Sequence, residues 1–309
     1  MSFAVVFPGQ GSQFAGMADA WITHPASKAV IDEASAAMRR DVVAGCHDEA
    51  ALATTEFVQP ALLACDVAAF RVLVAWGLGG AGAPLEGVAG HSLGEFAALV
   101  AAGVLDLTTA LELVVARGAA MQLASAARPG TMSALLGVGT RDAEALCDEV
   151  RAGEQLVVAN QNSPVQVVIS GNVAAVERAE ALAKERKIRA VRLNVAGAFH
   201  SELMRPAVGP ILEVLARIEL RAPTVPIAEN VTGSLVTDAD EIRQLVAMHV
   251  VTPVRWETGV RALAAAGATT FLEAGPGDVL TKLAKRVVPD ARAVAVGSPE
   301  AAASAVAGS

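Results

Sequence analysis

The feature that most restricts the fold is a pair of short apolar runs that each end on a glycine-rich turn. Residues 3–7 (FAVVF) are apolar without interruption and break into Pro8-Gly9-Gln10-Gly11-Ser12. A run this short with no polar alternation reads as a strand buried on both faces, which requires a parallel sheet covered by helices. Residues 87–89 form a second strand candidate and lead into Gly90-His91-Ser92-Leu93-Gly94. A helical run over 93–102 follows, and Gly103 fits its C-terminal stop. Further helices are expected over 59–73, with Pro60 at the start, and over 107–124. Strands alternating with helices predict an α/β fold.

Composition narrows the classes. With 309 residues, 53% hydrophobic and 18% charged, the chain can bury a large core, as one large domain or a large one plus a small one. A net charge of −8 gives nucleic-acid binding no electrostatic footing. No apolar run reads as both long enough and free enough of charge to span a bilayer, and no membrane role is expected. The opening MSFAVVF lacks a basic segment and does not read as a signal peptide. Cys46, Cys65 and Cys147 are odd in number and far apart, so neither a disulfide framework nor a zinc site follows. A reducing cytoplasm is the expected compartment. A monomer is the default expectation.

The middle of the chain changes character. Strands are expected over 132–138, 155–160, 166–170 and 188–195, with amphipathic helices over 141–152 and 173–187. That β-α-β-β-α-β order is the ferredoxin-like split pattern. Residues 127–196 therefore read as a small subdomain inserted between 1–126 and 197–309. Afterwards the α/β pattern resumes with a strand over 269–272, a Gly-Pro-Gly turn and a helix over 279–286. The small, featureless residues 301–309 are expected to fray.

Gly90-His91-Ser92-Leu93-Gly94 matches G-x-S-x-G, in the strand–turn–helix setting that lifts a serine hydroxyl into a cleft. The plain alternative is a serine that only caps a helix. A nucleophilic serine needs a base. Of five histidines, His24 sits in a polar loop, His47 reads as surface and His249 lies in a helix-like segment. His91 adjoins the serine, and neighbours on a sharp turn point apart. His200, just past the last strand of the insert, remains as the base candidate. The Leu93 amide, directly after the serine, can supply one oxyanion donor, and the 8–12 loop a second. Arg117 stands in an otherwise apolar helix, with Met121 one turn on. A buried guanidinium needs an anion. Glu112 or another core acid, and a carboxylate on a substrate, are both open on the residues alone.

FPGQGSQ (7–13), GHSLGE (90–95), the Arg117 helix, AFHS (198–201), PVRW (253–256) and EAGPG (273–277) occur in this order. Together they resemble the malonyl-CoA:acyl carrier protein transacylase family and the related acyltransferase domains of polyketide synthases, over about residues 3–290. The resemblance implies an α/β-hydrolase-like core with a ferredoxin-like insert. It implies Ser92 as nucleophile, His200 as acid and base, and Gln10 and Leu93 as oxyanion amides. It implies that Arg117 pairs with the free malonyl carboxylate, and that Met121, Asn160, Phe199 and Gln59 line the acyl site. The carbonyl orienting the histidine is expected from Arg255. Phe199 before the histidine is similar to malonyl-selective members. Val165 and Asp278 depart from the usual pattern. No metal and no permanently bound cofactor is implied; malonyl-CoA and coenzyme A enter and leave as substrate and product.

The implied partner is acyl carrier protein, which is acidic, as this chain is overall. Docking then needs a local basic patch. Lys184, Arg186, Lys187, Arg189 and Arg192 are one candidate, and Lys282, Lys285 and Arg286 a second; the plain alternative is a solvated helix face. The competing activities are a serine esterase or thioesterase on the same turn, a malonyl-transfer subunit of a malonate decarboxylase, and a non-catalytic carrier-binding module.

Overall fold

The structure, a computed structural model, describes residues 1–307. Ten strands fall into two sheets. The first six in chain order are β1 (Phe3–Phe7), β2 (Leu85–Gly90), β3 (Thr131–Leu136), β4 (Leu156–Ser163), β5 (Gln166–Gly171) and β6 (Arg189–Arg192). They are followed by β7 (Ile227–Ala228), β8 (Leu235–Val236), β9 (Thr270–Ala274) and β10 (Arg292–Val296). The larger sheet has the order β10-β9-β1-β2-β7-β8, parallel except for β8.

Strand β1 shows why this sheet must be covered twice. Phe3, Val5 and Phe7 enter one apolar core, while Ala4 and Val6 enter a second core on the opposite face. The period of two sends alternate side chains to opposite layers, so an all-apolar strand is satisfied only inside a sandwich of helices. The chain leaves β1 for β2 on one side and returns through β9 on the other. That reversal opens a crevice at the carboxyl ends of the strands, where α/β sheets bind ligands.

The insert closes as expected. Strands β3 to β6 form an antiparallel sheet of order β4-β5-β3-β6, covered by helices Thr140–Val150 and Val173–Glu185. It has its own core, including Leu135, Leu146, Ile169 and Val176. It is tied to the large sheet's side of the molecule where Val254 N–H donates to Ala159 O and Gln161 N–H donates to Val254 O, each at 2.8 Å.

Three expectations need correction. The helix expected over 59–73 runs Thr55–Ala75, with Pro60 inside it. The carbonyl that Pro60 leaves unpaired belongs to exposed Glu56, which water can serve. That helix and Leu107–Ala127 are long and apolar enough to cross a membrane by length and composition. Their apolar windows are 89% and 56% buried inside the protein, and the first is a core helix with no need of a polar face. The C-terminal segment does not fray over its described part: Pro299–Ala307 is a helix that buries Ala302, Ala305 and Val306. Residues 308–309 lie outside the described residues.

Candidate active site

Ser92 lies two residues past the carboxyl end of β2, in a left-handed conformation with φ +51°. Non-glycine residues hold that conformation only where surrounding structure enforces it. The flanking glycines make room for it. A Cβ on Gly90 would lie 1.9 Å from the Gly94 carbonyl carbon, and one on Gly94 would lie 2.1 Å from Phe7 O. Only glycine permits the turn to fold back on itself and against β1. His91 N–H donates to Phe7 O at 2.9 Å, and Ser92 N–H donates to Asn230 Oδ1 at 2.8 Å.

His200 comes from 108 residues away, just beyond the insert, and its Nε2 is 2.8 Å from Ser92 Oγ. Its backbone is left-handed as well, with φ +57°. The other ring nitrogen, Nδ1, lies 3.0 Å from His249 O and 3.1 Å from Thr252 O. Carbonyls only accept, so Nδ1 carries the proton and Nε2 is left as the acceptor facing the serine hydroxyl. The expectation that Arg255 supplies this carbonyl is not met. Arg255 instead precedes the Trp256–Ala265 helix, where its N–H donates to Asn230 O and its Nε to Val231 O. The short helix His249–Val251 turns its own carbonyls toward the histidine first. Burial and the Arg117 charge push the His200 pKa down to about 3, against the two carbonyl hydrogen bonds that raise it.

Neither the Leu93 nor the Gln10 N–H has an acceptor within the chain among the described residues. Both residues line one cleft of about 490 Å³ with Ser92 and His200. The two loops abut: a Cβ on Gly9 would sit 3.6 Å from Leu93 N. A negative oxygen forming at the serine could therefore receive both amides.

Arg117 is 1% exposed, at the inner end of this cleft. Nη1 donates to Gln59 Oε1 at 2.8 Å, Nη2 to Ser92 Oγ at 3.3 Å, and Nε has no partner. The guanidinium lies over the Phe96 ring, 5.5 Å from its centre. Glu112 faces solvent and is not its partner. Among the described residues no carboxylate lies within ion-pair distance, although nearby Glu95 favours the charge. Burial pushes the Arg117 pKa down to about 10. The side chain is thus an unpaired cation beside the serine, awaiting an anion. Met121, Asn160, Phe199 and Gln59 all line the same cleft. Gln59 also donates to Gln10 Oε1 at 3.3 Å.

The basic clusters separate into committed and free cations. Arg186 pairs with Glu149, Arg192 with Glu180, and Lys282 with Asp278. Lys184, Lys187, Arg189 and Lys285 have no ion-pair partner among the described residues. Arg286 donates to Gln166 Oε1 at 2.6 Å, and Gln166 lines the cleft. β6 runs straight into Leu193, Asn194 and Val195 on the cleft wall. Of the two clusters, the second reaches the cleft wall through Arg286, while Lys184, Lys187, Arg189 and Arg192 line a separate surface pocket on the insert. Of the two departures, Val165 is exposed in a turn without a positive φ, and Asp278 stands at the N-terminus of the Val279–Val287 helix.

Sequence reasoning missed Asn230, His249 and Thr252. A backbone carbonyl leaves no signature in a sequence. Asn230 sits in an E-N-V-T run after a two-residue strand, which reads as an ordinary loop.

A serine ester formed here would have a base, an oxyanion site and a cation for a charged acyl tail, so fold and site together define an acyl-transfer enzyme of the α/β class. Residues 4–305 match the family described as acyl transferase domain, and the chain belongs to that family. It is 42% identical over 308 residues to the malonyl CoA-acyl carrier protein transacylase of Escherichia coli strain K12, covering 98% of each chain. The enzyme of that name from Bacillus subtilis strain 168 is 39% identical, over 96% of this chain and 94% of its own. Among solved structures, acyl-carrier-protein S-malonyltransferase from Burkholderia pseudomallei 1710b superposes with a TM-score of 0.93 at 37% identity, covering 99% of this chain and all of its own. A type II PKS acyl-carrier protein in complex with its malonyl-transacylase matches with a TM-score of 0.94 at 38% identity, covering all of both chains.

Proposed function

We propose that the chain carries a malonyl group from malonyl-CoA to the phosphopantetheine thiol of an acyl carrier protein, through an ester on Ser92. The observation that carries this reading is Arg117, a buried cation with no carboxylate partner, 3.3 Å from the serine hydroxyl. A malonyl thioester brings the missing anion two carbons from the carbonyl that the serine attacks. Acetyl-CoA would leave the guanidinium unpaired, and a site built for a polar group rejects an analogue lacking it. A hydrolase of neutral esters gains nothing from this cation.

His200 Nε2 takes the Ser92 Oγ proton as Oγ adds to the thioester carbonyl. The resulting oxyanion receives the Leu93 and Gln10 N–H groups. Collapse breaks the carbon–sulfur bond, and the imidazolium returns its proton to the coenzyme A thiolate. The second half reverses the order. The carrier thiol gives its proton to Nε2, its sulfur adds to the malonyl ester, and Ser92 Oγ leaves with the proton. The malonyl carboxylate also neutralises Arg117. That removes one cause of the depressed His200 basicity, so the base strengthens when the matching acyl group is seated. Every step uses groups of the chain itself, and coenzyme A enters and leaves as part of substrate and product. The exposed cations Lys187, Arg189 and Lys285, without ion-pair partners among the described residues, suit the acidic carrier. Three free cysteines suit a reducing cytoplasm.

The test is intact-protein mass after malonyl-CoA, for wild type and Ser92→Ala, followed by addition of carrier protein. A malonyl adduct absent from Ser92→Ala and cleared onto the carrier is expected. Thioester hydrolysis with no adduct and no carrier product would replace the reading with a hydrolase.

A further inference from the structure

We infer that Asn230 is the residue that locks the nucleophile turn, with its amide spanning both sides of Ser92. Oδ1 accepts the Ser92 N–H at 2.8 Å and Nδ2 donates to Gly90 O at 2.7 Å. Asn230 is 3% exposed and is itself fixed. Its carbonyl accepts the Arg255 N–H at 2.8 Å, and its N–H reaches Glu95 Oε1 at 3.4 Å. The inference rests on Ser92 being the serine that is acylated.

A primary amide is suited to this place because the turn offers one donor and one acceptor, two residues apart. Asparagine matches both with a single planar group. The arrangement does two things. It holds Ser92 at φ +51°, a conformation that no residue other than glycine or a constrained one keeps, with Oγ aimed at His200. It also occupies the Ser92 N–H, so that the Leu93 and Gln10 amides are the ones left for the oxyanion. Asn230 does not touch the acyl group and is absent from the cleft lining, so it acts through the turn as a positioning residue.

The test compares Asn230→Ala and Asn230→Asp by single-turnover acylation of Ser92, counted per site from the final adduct. Asn230→Ala loses both hydrogen bonds. Its acylation rate should fall about 10- to 100-fold, with malonyl-CoA KM nearly unchanged because Arg117 is untouched. Asn230→Asp keeps the shape. Its neutral acid can donate to Gly90 O and accept from Ser92 N–H; its anion has no donor. The turn is faced by Glu95 and Glu229 from behind and by His91, His200, His249, Arg117 and Arg255 around it. Burial and the two acids favour the neutral acid, so its rate relative to wild type should be near one at low pH and fall only where the acid ionises. A purely structural role would change the folded fraction and not this ratio. The same series with phenylmethanesulfonyl fluoride reads the turn without malonyl chemistry. Slow sulfonylation of Asn230→Ala beside a wild type that takes no malonyl group would keep the turn lock and discard the transfer reading. A per-site rate equal to wild type in Asn230→Ala, or an Asn230→Asp rate as low as that of Asn230→Ala at low pH, overturns the inference.

Discussion

Replacing Arg117 with methionine should nearly abolish malonyl transfer while leaving the fold as stable as before. Depression of the guanidinium pKa from 12.5 to about 10 means that burying this cation costs about 3 kcal/mol. The substitution removes that cost. It also removes hydrogen bonds to Gln59 and Ser92, worth about 1 kcal/mol each, and a contact over the Phe96 ring worth about 0.5 kcal/mol. Methionine fills much of the space of the arginine stem. The net change should lie within about 1 kcal/mol, a shift in Tm of about 2 °C or less for a domain of this size. Had Arg117 been one half of a structural ion pair, breaking it would cost about 3–5 kcal/mol. Function responds in the opposite way. The malonyl carboxylate would lose its only buried cation, at about 2–5 kcal/mol, so acylation by malonyl-CoA should fall about 30- to several-thousand-fold. Acylation by acetyl-CoA should hold or improve. Calorimetry and adduct kinetics with both thioesters read the two halves separately. A Tm lower by 6 °C or more, or an unchanged malonyl-to-acetyl ratio, would refute the assignment of the cation to the substrate.

Three further outcomes follow from the geometry. With the His200 pKa pushed down to about 3, the base stays neutral above that value, so wild-type acylation should show no loss through pH 6.5; removing the Arg117 charge should move its acid limb upward, and stopped-flow acylation from pH 4.5 to 8 checks both. Lys187→Glu combined with Arg189→Glu should weaken carrier-protein use, seen as a higher KM for the carrier that depends on salt, with self-malonylation unchanged. Gly94→Ala should put a methyl 2.1 Å from Phe7 O, displacing the turn from β1; a stability loss of about 1–3 kcal/mol in urea unfolding and a collapse of the adduct rate are expected.

Local pattern carried far in this chain. β1 is buried on both faces because it is apolar at every position, and the insert's helices and strands lie close to where their periods placed them, although β4 runs on through Ser163 and leaves Pro164 and Val165 as the turn. The serine was legible from glycines at 90 and 94, whose missing side chains are a requirement of the turn itself. His200 was reachable by elimination among five histidines. What failed locally did so for non-local reasons. Pro60 reads as a helix start, but the chain upstream is already helical and buries Phe57 and Val58, with Phe57 packed against Gly45 and Arg40. The C-terminal alanines read as featureless, yet small residues are what a helix needs to sit close against another helix.

Side-chain chemistry is written residue by residue, and so the nucleophile, the base, the cation and the two-faced strand could be read from the chain order alone. Which carbonyl orients His200, whether Arg117 meets an acid, and which amide clamps Ser92 depend on groups far apart in sequence. Ser92 and Asn230 are 138 residues apart, and His200 and His249 are 49 apart. A main-chain carbonyl is the same in every residue, so its role is set by where the fold aims it, and a charge is unpaired only once packing has excluded every partner.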